Sequence, residues 1–251
     1  MNLKQKAKQI RRDVINLLYK HKACHLGSNM SCVDILVALY YKIMKSKDKF
    51  ILSKGWAAAT VYCILADRGH FSREELFKNY YQEGKKYKGL VSHEVKGVET
   101  SQGSAGHGLP MATGMSLADK ERKIYCLISD GECDCGTTWE SALFAAHHKL
   151  GNLIVIVDYN KFQAFGRTNE ILNLEPLTKK WESFGWNVQR IDGHDFKKIE
   201  KAFNNLSKEK PNVIIADTIK GKGISFAENK MEWHYYNLTS ELYERAKDDL
   251  R

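Results

Sequence analysis

The chain has 251 residues, a formal net charge of +9 and 43% hydrophobic residues, enough for one sizeable core and about the limit for a single domain. No apolar run approaches the roughly twenty residues that span a bilayer, and the start, Met1-Asn-Leu-Lys-Gln-Lys6, lacks a signal peptide's apolar segment. The expectation is a cytoplasmic chain with no membrane association. Basic residues, as at Lys4 to Arg12, Lys85 to Lys88 and Lys208 to Lys210, are dispersed among acids without an aromatic-basic stripe, so they read as solvated faces and not as a nucleic-acid surface. The six cysteines (24, 32, 63, 126, 133 and 135) lack a disulfide-framework spacing, and Cys133-Asp-Cys135 has no second pair to complete a zinc site.

In chain order, Ile10, Val14, Leu17 and Leu18 mark an amphipathic helix over residues 3–21, and 32–44 is apolar nearly all round, which predicts a buried helix. A third helix is predicted over 57–67. Residues 80–108, rich in Gly, Lys and Ser and without periodicity, read as a long functional loop. Apolar runs at 123–128 and 152–157 fit strands buried on both faces. The helix between them, 137–149, carries Trp139, Leu143 and Ala146 on one face. Strands at 187–191 and 212–218 flank a helix over 197–206, and the tail from 239 to 250 is a helix capped by Thr239 or Ser240. Strand-helix-strand units of this kind predict a three-layer αβα fold with a mostly parallel sheet behind N-terminal helices.

The most informative residues lie just past two of these strands. Asp130 belongs to the run Ser129-Asp-Gly-Glu132, and Asn160 ends Asp158-Tyr-Asn160. Open parallel sheets bind ligands at the carboxyl ends of their strands. A carboxylate and an amide there suit Mg²⁺, which takes few side chains and fills its octahedron with phosphate and water oxygens. Each residue alone reads equally well as a turn or a loop cap. Gly103, Gly106 and Gly108 form G-x-x-G-x-G, whose register is wrong for a dinucleotide loop, and Lys220-Gly-Lys-Gly223 lacks the order of a nucleotide P-loop.

Ser129-Asp-Gly-Glu132, Trp139-Glu140, Ala145 to Leu150, Asn152-Leu153 and Asp158 to Gln163 together resemble the thiamine diphosphate motif of transketolases, most closely the amino-terminal chain of split transketolases. The resemblance spans nearly the whole sequence: His25-Leu-Gly-Ser28, Phe50 to Gly55, Gly97 to Thr100, Gly103 to Gly108, Phe184-Gly-Trp186, Asp192-Gly-His-Asp195, and Lys220 to Ser225 leading to Glu232-Trp-His234. It implies the thiamine diphosphate-binding fold, with 1–251 a single diphosphate-binding domain. It also implies Mg²⁺ on the side chains of Asp130 and Asn160 and the carbonyl of Phe162, with Gly131 against the diphosphate and Gly103 and Ala105 facing the aminopyrimidine. His25, His93 and His234 correspond to catalytic-channel histidines, with His234 also near the diphosphate; a lone histidine is otherwise a surface or capping residue.

Three positions depart from the family pattern. Ser129 stands where a second glycine is usual, Cys135 where a glutamate contacting the other cofactor site is common, and Trp56 where a histidine reaches cofactor phosphate or substrate. An indole offers one donor and no acceptor, so Trp56 narrows the channel, shifts sugar preference, weakens cofactor binding or simply packs. The resemblance implies a pyrimidine-binding domain carrying a catalytic glutamate, and the eighteen residues after Trp233 cannot form one. The expectation is a separate C-terminal subunit in a heterotetramer of two of each chain, and two-carbon transfer from a ketose or ketose phosphate to an aldose. The alternatives are another thiamine diphosphate enzyme component, either a 2-oxoacid dehydrogenase alpha chain or a deoxyxylulose-phosphate synthase-like chain, or a non-catalytic scaffold.

Overall fold

The computed structural model describes residues 1–251. Its helices are α1 (Leu3–Lys20), α2 (Leu26–Ser31), α3 (Val33–Ala38), α4 (Ala58–Asp67), α5 (Arg73–Asn79), α6 (Gly108–Ala118), α7 (Gly136–His147), α8 (Thr168–Ile171), α9 (Leu177–Ser183), α10 (Phe196–Asn204) and α11 (Ser240–Asp249). Five strands, β1 (Lys49–Leu52), β2 (Ile124–Ser129), β3 (Leu153–Tyr159), β4 (Asn187–Asp192) and β5 (Asn212–Asp217), form one sheet in the order β1-β2-β3-β5-β4. Every pairing is parallel.

Alternation along the central strands divides the core. Tyr125, Leu127, Ile154, Ile156 and Ile214 face a larger cluster built with α1–α4, α10 and α11, whereas Cys126, Ile128, Val155, Val157 and Ile215 face a smaller one built with α6, α7 and α9. This is the predicted three-layer αβα arrangement. All of β2 and β3 is buried, as their unbroken apolar runs require.

Register fixes where the site falls. Ser129 pairs with Asp158, and Tyr159 pairs with Asp217. The residues that follow these strands therefore emerge together at one edge of the sheet, which is where Asp130 and Asn160 lie.

Several helices match the sequence expectation closely, and their caps explain their limits. The Asn2 carboxamide accepts from Lys4 N at 3.0 Å to start α1, and the Thr239 hydroxyl accepts from Leu242 N at 3.3 Å to start α11. The segment 32–44 is buried to Tyr40 but is not one continuous helix: α3 passes into a π-helical turn at Leu39–Ile43. α7 is a correction. Its buried face is Thr138, Ser141, Ala142 and Ala145, while Leu143 is 63% exposed. Small side chains let the helix lie close to the sheet, and Trp139 packs sideways on Trp181 at 5.1 Å. Residues 80–107 contain no helix or strand, as expected of that loop.

Candidate cofactor-binding site

A cavity of about 280 Å³ opens where β2, β3 and β5 end. Its wall includes Trp56, Ala105, Asp130, Gly131, Asn160, Phe162 and His234, and therefore gathers seven of the candidate residues from five separate segments.

At its floor, Asp130 is fully buried. Its carboxylate accepts from Gly131 N at 2.9 Å and Lys161 N at 2.6 Å. Burial, and then the nearby Asp158, push this carboxyl up to about 7. Such a carboxylate is short of positive charge, the condition a bound cation relieves. The Asn160 side-chain oxygen accepts from Phe162 N at 3.0 Å, which folds the chain back so that Asn160 and Phe162 adjoin Asp130. Ser129 sits at φ −84°, ψ 162°, extended backbone that needs no glycine, and forms a capping box with Glu132. The Glu132 carboxylate also accepts from Gly106 N at 3.1 Å and from the Ser53 hydroxyl, tying the 103–108 loop to the β2 turn and setting Ala105 in the wall.

Two lysines complete the wall, and little marks them in the sequence beyond their place in glycine-flanked runs after strands. Lys54 and Lys220 are each 1% exposed. The Lys54 ammonium pairs with Asp158 and donates to the Ser28 carbonyl at 2.9 Å. Burial alone would raise the Asp158 carboxyl, but the Lys54 ammonium outweighs it and holds the group below its ordinary value. Lys220 pairs with no carboxylate; burial, and then Lys54, push its ammonium down to about 8. A buried cation without a counter-ion suits an anionic ligand.

An aromatic group lines one side. His234 lies edge-on to His25 at 5.0 Å between ring centres, and Trp56 tilts against it at 6.2 Å. His25 holds a left-handed backbone at φ 70°, and its N–H donates to the His234 carbonyl at 3.1 Å. Lys220 Nζ lies 3.5 Å from His234 Nδ1. An ammonium can only donate, so Nδ1 accepts and Nε2 carries the ring hydrogen.

Burial, followed by the Lys220 charge, lowers His25 to about 4 and His234 to about 3. Both imidazoles are neutral in the fold, so below the ordinary value of 6.5 the unfolded chain binds more protons. Their contribution to stability is fully present above that value and is lost as pH falls toward 4. The thermal midpoint should drop across this interval, and less steeply in His234→Gln; equal pH curves for the two proteins would refute this.

Two candidates lie elsewhere. Gly103 is exposed and outside the wall. His93 is exposed, hydrogen-bonded through its Nδ1 to the Ser101 hydroxyl at 2.7 Å, and also outside the wall.

The sequence profile described as "Transketolase, thiamine diphosphate binding domain" matches residues 3–250. The chain belongs to this transketolase family. One of the two chains of an apulose-4-phosphate transketolase from Actinobacillus succinogenes is 39% identical, the match covering 99% of this chain and 96% of that one. A 6-deoxy-6-sulfo-D-fructose transketolase subunit of a Clostridium species is 38% identical, covering 100% and 96%. The crystal structure of Campylobacter jejuni transketolase superposes with a TM-score of 0.92 at 30% identity, over 100% of this chain but 43% of that one. The transketolase domain here thus matches separate subunits end to end and less than half of a one-chain enzyme.

Proposed function

We propose that the chain is the diphosphate-binding subunit of a two-chain transketolase, moving a two-carbon ketol unit from a ketose or ketose phosphate to an aldose. The observation that carries this is the cavity floor: a buried carboxylate with no side-chain cation of its own beside a buried ammonium with no carboxylate. A magnesium diphosphate offers both charges at once.

Asp130 and Asn160 would hold Mg²⁺ through their side chains and Phe162 through its carbonyl. Gly131, a wall residue without a side chain, leaves room for the diphosphate. Lys220 and Lys54 face the diphosphate as donors. Thiamine diphosphate, when bound, supplies the electron sink for the two-carbon unit. His234, with Nε2 as donor, and His25 beside it orient sugar hydroxyls and move protons near neutral pH.

The remaining half of the site is assigned to a separate chain with a pyrimidine-binding domain and a catalytic glutamate. Met111, Leu117, Leu143 and Phe144 on α6 and α7 are 38–63% exposed, and this apolar face supports assembly into a heterotetramer. Such a subunit is expected in the cytoplasm; no helix of the chain is long and apolar enough to cross a membrane.

The test is to mix both chains with thiamine diphosphate and Mg²⁺ and measure two-carbon transfer from a panel of ketoses, with the mass of the complex read by sedimentation. A pair that binds cofactor and transfers nothing would overturn the assignment in favour of a scaffold. Trp56→His should change cofactor affinity or the order of preferred sugars by about threefold or more, the effect of roughly one hydrogen bond. No change in either would reduce Trp56 to packing.

A further inference from the structure

A second polar network lies outside the cavity wall. Asp34, at the start of α3, is buried and accepts a two-pronged pair from Arg11 of α1, with Nη1 at 2.9 Å and Nη2 at 2.7 Å. The same carboxylate lies 2.8 Å from Nδ1 of His194, in the turn between β4 and α10. Although desolvation opposes it, hydrogen bonds from His194 and Arg11 hold the Asp34 carboxyl down at about 2.

Each arm ends on the loop that follows β5. The Ile219 N–H donates to His194 Nε2 at 2.9 Å, and Arg11 Nε donates to the Lys222 carbonyl at 3.1 Å. These two backbone groups flank Lys220, one residue before it and two after. Since Nε2 accepts, the ring hydrogen is on Nδ1 and is donated to Asp34. Asp34 thus fixes the tautomer of one arm and the plane of the other.

We infer that Asp34, through His194 and Arg11, is a positioning device that sets the Lys220 ammonium in the cofactor cavity. The inference rests on the proposed site, because Lys220 matters only if an anion binds beside it. Lys220 needs outside support: its side chain is buried with no carboxylate partner, and Gly221 after it takes a left-handed φ of 78°. Within the loop itself, Gly221 N reaches the Gly27 carbonyl at 3.0 Å, but residues 219 and 222 are gripped only by the two arms and by one turn bond between them.

The two amide replacements of His194 separate the two links. His194→Asn retains a donor near Nδ1 for Asp34 but withdraws the acceptor from Ile219; His194→Gln places an amide near Nε2, restoring that acceptor. In the complex with its partner chain, His194→Asn should weaken thiamine diphosphate binding about tenfold, the scale of lost outer-shell support, with Gln recovering most of it. Affinity is read from quenching of Trp56 fluorescence on cofactor titration with Mg²⁺, and the midpoint of cofactor-free unfolding serves as the control. The deciding comparison is in Lys220→Met: if His194 acts through Lys220, His194→Asn adds nothing in that background. An equal loss in both backgrounds, or no loss in either, overturns the inference. Should His194→Asn not fold, Arg11→Lys, which keeps a charge on Asp34 but releases the Lys222 carbonyl, is compared in the same two backgrounds. A wild-type complex that binds no cofactor refutes the proposed site instead, so the two failures are distinct.

Discussion

Asp130→Ala is expected to weaken Mg²⁺-dependent binding of thiamine diphosphate on the order of a hundredfold, because Mg²⁺ is held by so few protein ligands that losing a charged one is not compensated. The cofactor-free protein should keep or raise its thermal midpoint. Asp130 is fully buried and its carboxyl is pushed up to about 7, so burial already works against the ionised form. A residue placed for a ligand at some expense to the empty fold shows this opposite pair of effects. Calorimetric titration with and without Mg²⁺, next to a melting curve, reads both. Unchanged affinity with Mg²⁺ present would remove Asp130 from the metal site.

The second large effect falls on the ion pair beneath the cavity. Lys54 and Asp158 are buried together, and Asp158 is also hydrogen-bonded by the Ser31 hydroxyl at 2.6 Å and by Thr218. Removing either partner leaves a lone charge in a dry interior, a cost of about 3–5 kcal/mol. Lys54→Met and Asp158→Ala should each lower the thermal midpoint by roughly 10 °C, given about 2–4 °C per kcal/mol for a chain of this size. Replacing both should cost less than the sum, since no unpaired charge remains. Single variants within about 1 kcal/mol of wild type by denaturant titration would show that water reaches this pair.

How much of this was legible in the sequence depended on the kind of signal. β2 and β3 announced themselves as unbroken apolar runs, and the residues just past them pointed to the metal site. β1 is only four residues long, and its run Phe50 to Gly55 read as a motif before it read as a strand. Short helices such as α5 and α9 have too few turns for a period to emerge and owe their existence to tertiary contacts. α7 misled because periodicity favours large apolar residues, whereas this interface is built from Thr138, Ser141, Ala142 and Ala145. Lys54 and Lys220 were hidden for another reason. A lysine is ordinarily solvent-exposed, and only the packing around these two, one paired with Asp158 and one unpaired, turns them into parts of a site. The Asp34 network was equally silent, since its members lie up to 211 residues apart.

The small residues that bring α7 close to the sheet leave Leu143 and Phe144 exposed on its other side, and Phe144 lines a groove of about 400 Å³ with Leu117 of α6. For a subunit that works only in company, this makes the ratio of synthesis a physical variable. Chain made in excess of its assembly partners has no way to shield that surface except against another unassembled copy, so overproduction alone should favour self-association with rising concentration, and simultaneous production of the second chain should restore a single defined species.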